Sequence, residues 1–267
     1  MAVVVGPGAA RNPRRLSLST REGFGNASVP GVGPDEPAVD SGPLASPLVS
    51  PTAMAAKLLA EFVGTFFLVL TIGLTALIGS AFAPFAIAAV LIGAIYMGGH
   101  TSGAHYNPAV TLAFWLRGGF RGAEVVPYVT VQVAAAVVAA LAAYAVTGDV
   151  LQVTPAEETG LGAFFLLELL FTFLLALVIL NVATAPGLRG NDHYGVAIGL
   201  VVLGGALAAG PISGGAFNPA VALGPALVDL VVGTGESLDG LWVYLVATAG
   251  GGALAALAFR VQNPTDG

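Results

Sequence analysis

The chain contains no cysteine, so it offers no disulfide and no thiol nucleophile, and the redox compartment it works in stays open. Charge is scarce as well. Asp, Glu, Lys and Arg make up 9% of the residues, against roughly 25% in a soluble globular domain. There is no basic patch of the kind that binds nucleic acid. There is no G-x-S-x-G, no metal-ligand cluster and no phosphate loop, which argues against an enzyme, a metal site or a cofactor. The net charge of −6 carries little information, because most of the acids lie in loops.

What is abundant is apolar: 56% of the chain, which places it in the membrane class. Within it one stretch occurs twice. Residues 102–116 read SGAHYNPAVTLAFWL and residues 213–227 read SGGAFNPAVALGPAL. Asn107 and Asn218 stand where a helix N-cap belongs. Pro108 and Pro219 fill the first helical position, where a missing N–H loses no hydrogen bond. The pattern predicts short helices over 108–116 and 219–228. Ten residues rise only about 15 Å, half of a roughly 30 Å hydrocarbon core. One such helix cannot span a bilayer, but two meeting tip to tip from opposite sides can.

Chemistry follows from that arrangement. Both N-termini point at the bilayer midplane and place two positive dipole ends there. Each cap uses its Asn carbonyl oxygen, which leaves the side-chain NH2 to donate. Two facing amides can donate to one passing water oxygen, and the dipoles repel cations. The irregular residues before each Asn are Gly103, Ala104, His105 and Gly214, Gly215, Ala216, and they expose carbonyls. Bare carbonyls inside a membrane are tolerated where they line a wet cavity. The expectation is a pore for small neutral molecules.

The paired boxes Asn107-Pro108-Ala109 and Asn218-Pro219-Ala220 resemble those of the major intrinsic proteins, the aquaporin and aquaglyceroporin family. The resemblance covers about residues 54–261. It implies an all-α membrane fold of six transmembrane helices plus two half-helices in an inverted repeat. It also implies a homotetramer with one pore per subunit.

Six long apolar segments are predicted, at 57–79, 83–99, 125–146, 161–183, 194–212 and 241–259, each near the ~20 residues needed to cross. Repeat one spans 54–147 and repeat two 161–261. AEFVGTFFLVL at 60–70 resembles LELLFTFLLAL at 167–177, pairing Glu61 with Glu168. Three spans separate equivalents, so the repeats have opposite topology and meet at the midplane. Their packing is expected to use small residues such as Gly64, Ala88, Gly93, Gly199 and Gly204. All 9 Lys and Arg fall on the side of the chain termini. The other side carries Asp149, Glu157, Glu158, Asp229, Glu236 and Asp239 and no base. By the positive-inside rule both termini are cytoplasmic in a multi-pass membrane protein.

Residues 1–53, rich in Pro, Gly, Ser and Ala, read as a disordered tail. Arg11, Arg14, Arg15 and Arg21 suggest a targeting peptide, but no apolar region follows them and a solvated tail is the better reading. Met54 begins MAAKLLAEF, which itself looks like a natural start; N-terminal sequencing of the expressed product decides this.

Glu61 and Glu168 are the ionisable groups inside the spans, apart from those at the edges. An intramembrane charge needs partners. A proton relay is one role. The favoured role is structural, each carboxylate accepting N–H groups from the loop before its half-helix, and the resemblance implies the same. Ser102 and Ser213 read as loop hydrogen-bonders and not as nucleophiles. His100 and His105 lack a third ligand for a metal. The resemblance assigns His105 a pore-facing backbone carbonyl. His193 reads as an ordinary loop histidine, with pH gating as the alternative.

The resemblance also assigns a selectivity filter to Ile87, Ala206, Gly215 and Val221. Most aquaporins have Arg where Val221 stands. Ile87 replaces the Phe common in water-selective members, and Ala206 replaces their His. The filter thus loses a rigid fork of five donors and the bulk of the His, and is expected to be wider and more apolar. Asn-Pro-Ala-Val followed by Gly-Pro-Ala resembles the tonoplast intrinsic proteins, which pass water and often urea, peroxide or ammonia. The Asp that glycerol facilitators place after their Arg is absent, with Ala222 there instead. Tyr244-Leu245 lies between aquaporin and glyceroporin habits. The predicted function is a passive channel for water and small neutral solutes. Its alternatives are a secondary transporter or a closed structural membrane protein. With no thiol in the chain, a mercurial is expected not to block the pore.

Overall fold

A computed structural model describes residues 50–264, and these fold as eight α-helices with no strand among them. They are α1 (Pro51–Leu77), α2 (Ala83–Ser102), α3 (Pro108–Arg117), α4 (Gly122–Thr147), α5 (Leu161–Thr184), α6 (Tyr194–Ser213), α7 (Pro219–Val232) and α8 (Leu241–Gln262). Six are long and apolar enough to cross a membrane; α3 and α7 are short.

Helix α1 starts earlier than expected. Ser50 caps it by accepting from the Ala53 amide at 3.2 Å, and Pro51 occupies the first turn. Residues 51–53 are therefore helical, a correction to the tail drawn through residue 53. Residues 1–49 of that predicted tail, with its arginines, lie outside the described residues. Helix α7 runs four residues beyond the predicted 228, to Val232, and continues through Pro225.

Each short helix packs mainly on a helix of the opposite repeat: α3 on α8 and α7 on α4. Within the repeats α1 packs on α2 and α4, and α5 on α6 and α8, while α2 meets α6 across the molecule. The repeats therefore interlock rather than sit side by side. Where backbones come closest, only glycine fits. A Cβ on Gly252 of α8 would lie 2.5 Å from the Ala109 carbonyl, and one on Gly199 would lie 3.1 Å from the Ala88 carbonyl. Gly64 makes room for the Tyr106 ring. Gly93 and Gly204, expected in the same role, have nothing within 4 Å of such a Cβ, so these two do not serve close packing in the single chain.

Candidate pore site

Two irregular segments, 103–107 and 214–218, bring the chain back from the ends of α2 and α6 to the starts of α3 and α7. Their backbone is unusual in matched ways. Gly103 and Gly214 have φ of 88° and 86°, and Tyr106 and Phe217 both have φ of 49°. Ala104 (φ 50°) corresponds to Gly215 (φ 64°). Left-handed backbone at non-glycine residues costs on the order of 1–3 kcal/mol each and persists only where surroundings hold it.

The surroundings are buried polar side chains. Glu61 accepts from Ser102 Oγ (2.7 Å), His105 N (2.9 Å), Tyr106 N (2.7 Å) and Gln132 Nε2 (2.9 Å). Glu168 accepts from Ser213 Oγ (2.7 Å), Ala216 N (3.1 Å) and Phe217 N (2.8 Å). Each serine also accepts from its own loop, Ser102 from Ala104 N and Ser213 from Gly215 N. Tyr128 donates to the Ser102 carbonyl at 2.9 Å, and Tyr244 donates to the Ser213 carbonyl at 2.6 Å. Both carboxylates are fully buried, and both of their oxygens are engaged. A carboxylate that accepts several N–H and O–H groups offsets its own desolvation while satisfying donors that would otherwise be orphaned.

The two asparagines do what caps do and one thing more. Asn107 Oδ1 accepts from Ala109 N at 2.8 Å, and Asn218 Oδ1 accepts from Ala220 N at 2.9 Å. Asn107 Nδ2 then donates to the Phe217 carbonyl at 2.9 Å, and Asn218 Nδ2 donates to the Tyr106 carbonyl at 2.8 Å. Each amide thus spends one hydrogen on the opposite loop, so the NH2 group is not wholly free as expected from capping alone. One N–H per asparagine remains. These crossed bonds join the repeats at their tips, and sequence reasoning missed them because they link residues more than a hundred positions apart.

A cavity of about 240 Å3 runs past this junction and is lined by both Asn107 and Asn218. Ile87, Ala206, Gly215 and Val221 all line it, as do Ala104, His105, Gly214 and Ala216. Gly103 lines a second cavity of about 370 Å3, which shares Ala104 with the first. Pro108, Ala109, Pro219 and Ala220 are buried behind the junction and line neither cavity. The carbonyls of Ser102, Tyr106, Ser213 and Phe217 are taken by side chains. Among the described residues, no backbone N–H is directed at the carbonyls of the three residues between each pair.

Two further features were not legible from the sequence. His105 Nδ1 lies 3.1 Å from Thr111 Oγ1, which also accepts from Gln132 Nε2 at 3.1 Å. Asp229, at first sight one more acid of a loop-rich face, is fully buried. It accepts from Thr234 N (3.1 Å), Ser237 N (3.0 Å) and Gln152 Nε2 (3.1 Å).

Comparison with known proteins agrees with this architecture. "Glycerol uptake facilitator protein-like 6" of Lactiplantibacillus plantarum is 36% identical over 79% of this chain and 99% of its own length. "Aquaporin NIP1-4" of Oryza sativa subsp. japonica is 38% identical over 78% of this chain and 77% of its own. "Nodulin-26" of Glycine max is 35% identical over 79% of each. These are facilitator-like and NIP-type relatives, so the tonoplast likeness is confined to the few residues of the second box. The aquaglyceroporin of Plasmodium falciparum superposes with a TM-score of 0.72 over 80% of this chain and 98% of its own, at 23% identity, and shares the fold. The profile of the Major intrinsic protein family matches residues 48–259. With six apolar crossing helices and two capped short helices meeting at one cavity, the chain belongs to the major intrinsic protein family of membrane channels.

Proposed function

We propose that this chain conducts water and small uncharged solutes up to about the size of glycerol through a constriction built from Ile87, Ala206, Gly215 and Val221. The observation that carries it is the lining itself. All four positions face the cavity that holds Asn107 and Asn218, and none supplies a charged or hydrogen-bonding side chain. A constriction with a guanidinium grips solutes through a fixed donor fork. Here polarity comes from the free carbonyls of Gly103, Ala104, His105, Gly214, Gly215 and Ala216 and from one amide N–H on each asparagine. A solute passes by sliding apolar edges along the side chains and polar groups along the carbonyls, without a charge to hold it. The printed name of the facilitator-like relative supports glycerol as a solute to test.

Charge orients the chain. Lys57 pairs with Glu124 at 2.8 Å, and Arg260 bonds the Leu116 carbonyl, so these bases cluster at the end where α1 begins and α3 and α8 finish. By the positive-inside rule this end is cytoplasmic, with both termini. A homotetramer is the assembly the family suggests. Large exposed apolar side chains on several helices, such as Phe85, Leu170 and Leu200, suit contact with lipid or with sister subunits.

The decisive experiment is a permeability panel on proteoliposomes with water, glycerol, urea, ammonia and peroxide, run on the wild type and on Val221→Arg. Val221→Arg narrows the passage and is expected to cut glycerol flux by about tenfold or more while reducing water less. An unchanged solute profile would show that this position does not line the constriction.

A further inference from the structure

We infer that Val153, carried on the loop between α4 and α5, is a further wall of the constriction, and that the bond from exposed Gln152 to buried Asp229 sets its position. This rests on the constriction proposed above and deepens it. Val153 is 8% exposed, yet it lines the same cavity as Ile87, Ala206, Gly215 and Val221. It also packs in one apolar cluster with Ala216 and Val221. It thus shares both a cavity and an apolar cluster with residues assigned to the filter.

The loop that carries it is tied on three sides. Ala156 N and Thr159 Oγ1 both donate to the Ile212 carbonyl, at 3.0 and 2.8 Å, anchoring the loop to the end of α6. The Thr154 carbonyl lies 2.8 Å from where a Cβ on Gly214 would sit, so the loop lies directly against the irregular segment. Gln152, the neighbour of Val153, donates to Asp229 Oδ1 at 3.1 Å and to Thr234 Oγ1 at 2.9 Å. Asp229 stands near the far end of the helix that Asn218 caps. A rigid α7 thus holds Asn218 at one end and, through Asp229 and Gln152, the backbone beside Val153 at the other. Repeat one has no such device: Gly118 occupies the position matching Asp229. Ala206 and Gly215 leave the constriction with little side-chain bulk of its own, and Val153 supplies an apolar wall without adding a donor. Its size, and the latch that places it, set the largest solute admitted.

The natural chain has no thiol, so Val153→Cys adds a single one and makes the test clean. Proteoliposomes carrying Val153→Cys are expected to lose most of their water and glycerol flux on adding a mercurial and to regain it with a thiol reductant. Leu151→Cys, buried in the same apolar cluster but off the cavity, is expected to keep its flux. Val153→Ala is expected to raise the glycerol-to-water permeability ratio by about tenfold. Gln152→Ala is expected to shift that ratio in the wild-type background and not in Val153→Ala, because the latch acts through Val153. Val153→Thr, equal in shape, keeps the cut-off and raises water flux by adding a hydroxyl to the wall. A conducting Val153→Cys that ignores mercurial, a Val153→Thr with unchanged water flux, or a Gln152→Ala shift equal in both backgrounds would overturn the inference. Wild-type vesicles that pass no solute would instead sink the constriction reading beneath it.

Discussion

The loop before Asn107 has an extra polar network behind it, and the loop before Asn218 has apolar side chains in that place. Both loops share a scaffold of one buried carboxylate, one serine and one tyrosine hydroxyl. Repeat one adds His105, Thr111 and Gln132, joined to one another and to Glu61. The matching residues of repeat two are Ala216, Ala222 and Thr248, and Thr248 turns its hydroxyl back to its own helix at the Tyr244 carbonyl. In their place an apolar cluster of Val153, Phe164, Val221, Val243 and Tyr244 backs the second loop. The shared scaffold is what the half-helix junction requires. On the proposed reading the difference falls at the constriction, because Gly215 and Val221, the loop and half-helix residues assigned to it, belong to the apolar side. A wall that grips nothing needs no polar support behind it.

The comparison can be broken most severely at the carboxylates. Glu61→Ala strands donors from Ser102, His105, Tyr106 and Gln132, and Glu168→Ala strands those from Ser213, Ala216 and Phe217. Each is expected to cost at least about 3 kcal/mol, with the larger loss in repeat one, read from thermal unfolding in detergent. Equal losses would show that the Gln132 bond adds nothing. Next comes the strained position. Gly215→Ala forces a Cβ to 3.0 Å from the Gly210 Cα at a φ of 64°, and a loss of about 1–3 kcal/mol is expected in the same assay. A smaller contrast separates Thr111→Ala from Thr248→Ala. The first removes the group that joins His105 to Gln132 and is expected to cost about 1–2 kcal/mol more than the second. The smallest effect has the opposite sign. Ala104→Gly relieves a φ of 50° where repeat two already uses glycine, and is expected to stabilise by about 0.5 kcal/mol. A destabilised Ala104→Gly would mean that the alanine methyl contributes packing that outweighs the strain.

What could be read from the sequence was what depends on neighbours along the chain. The six crossing helices follow from runs of apolar residues, and the starts of α3 and α7 follow from Asn-Pro, because capping is settled within three residues. The pairing of Glu61 with Glu168 followed from repeated text. Ser50-Pro51 carries the same local start signal for α1, at the end of a stretch whose composition reads as tail. Contacts between distant segments left no such trace. Nothing near Asn107 announces that its amide reaches Phe217, nor does anything near Asp229 distinguish it from the solvated acids of the same face. Gly93 and Gly204 show the converse, since a glycine in a crossing helix signals close approach only if a partner happens to pass there.

The central claim is that two capped short helices face each other across one open passage for uncharged solutes. The activation energy of water flux through proteoliposomes bearing the wild-type chain tests it most directly. A value well below that of protein-free vesicles is expected, with flux linear in the osmotic gradient and untouched by mercurial. An activation energy equal to that of the lipid alone would contradict it, because the cavity between Asn107 and Asn218 would then carry nothing.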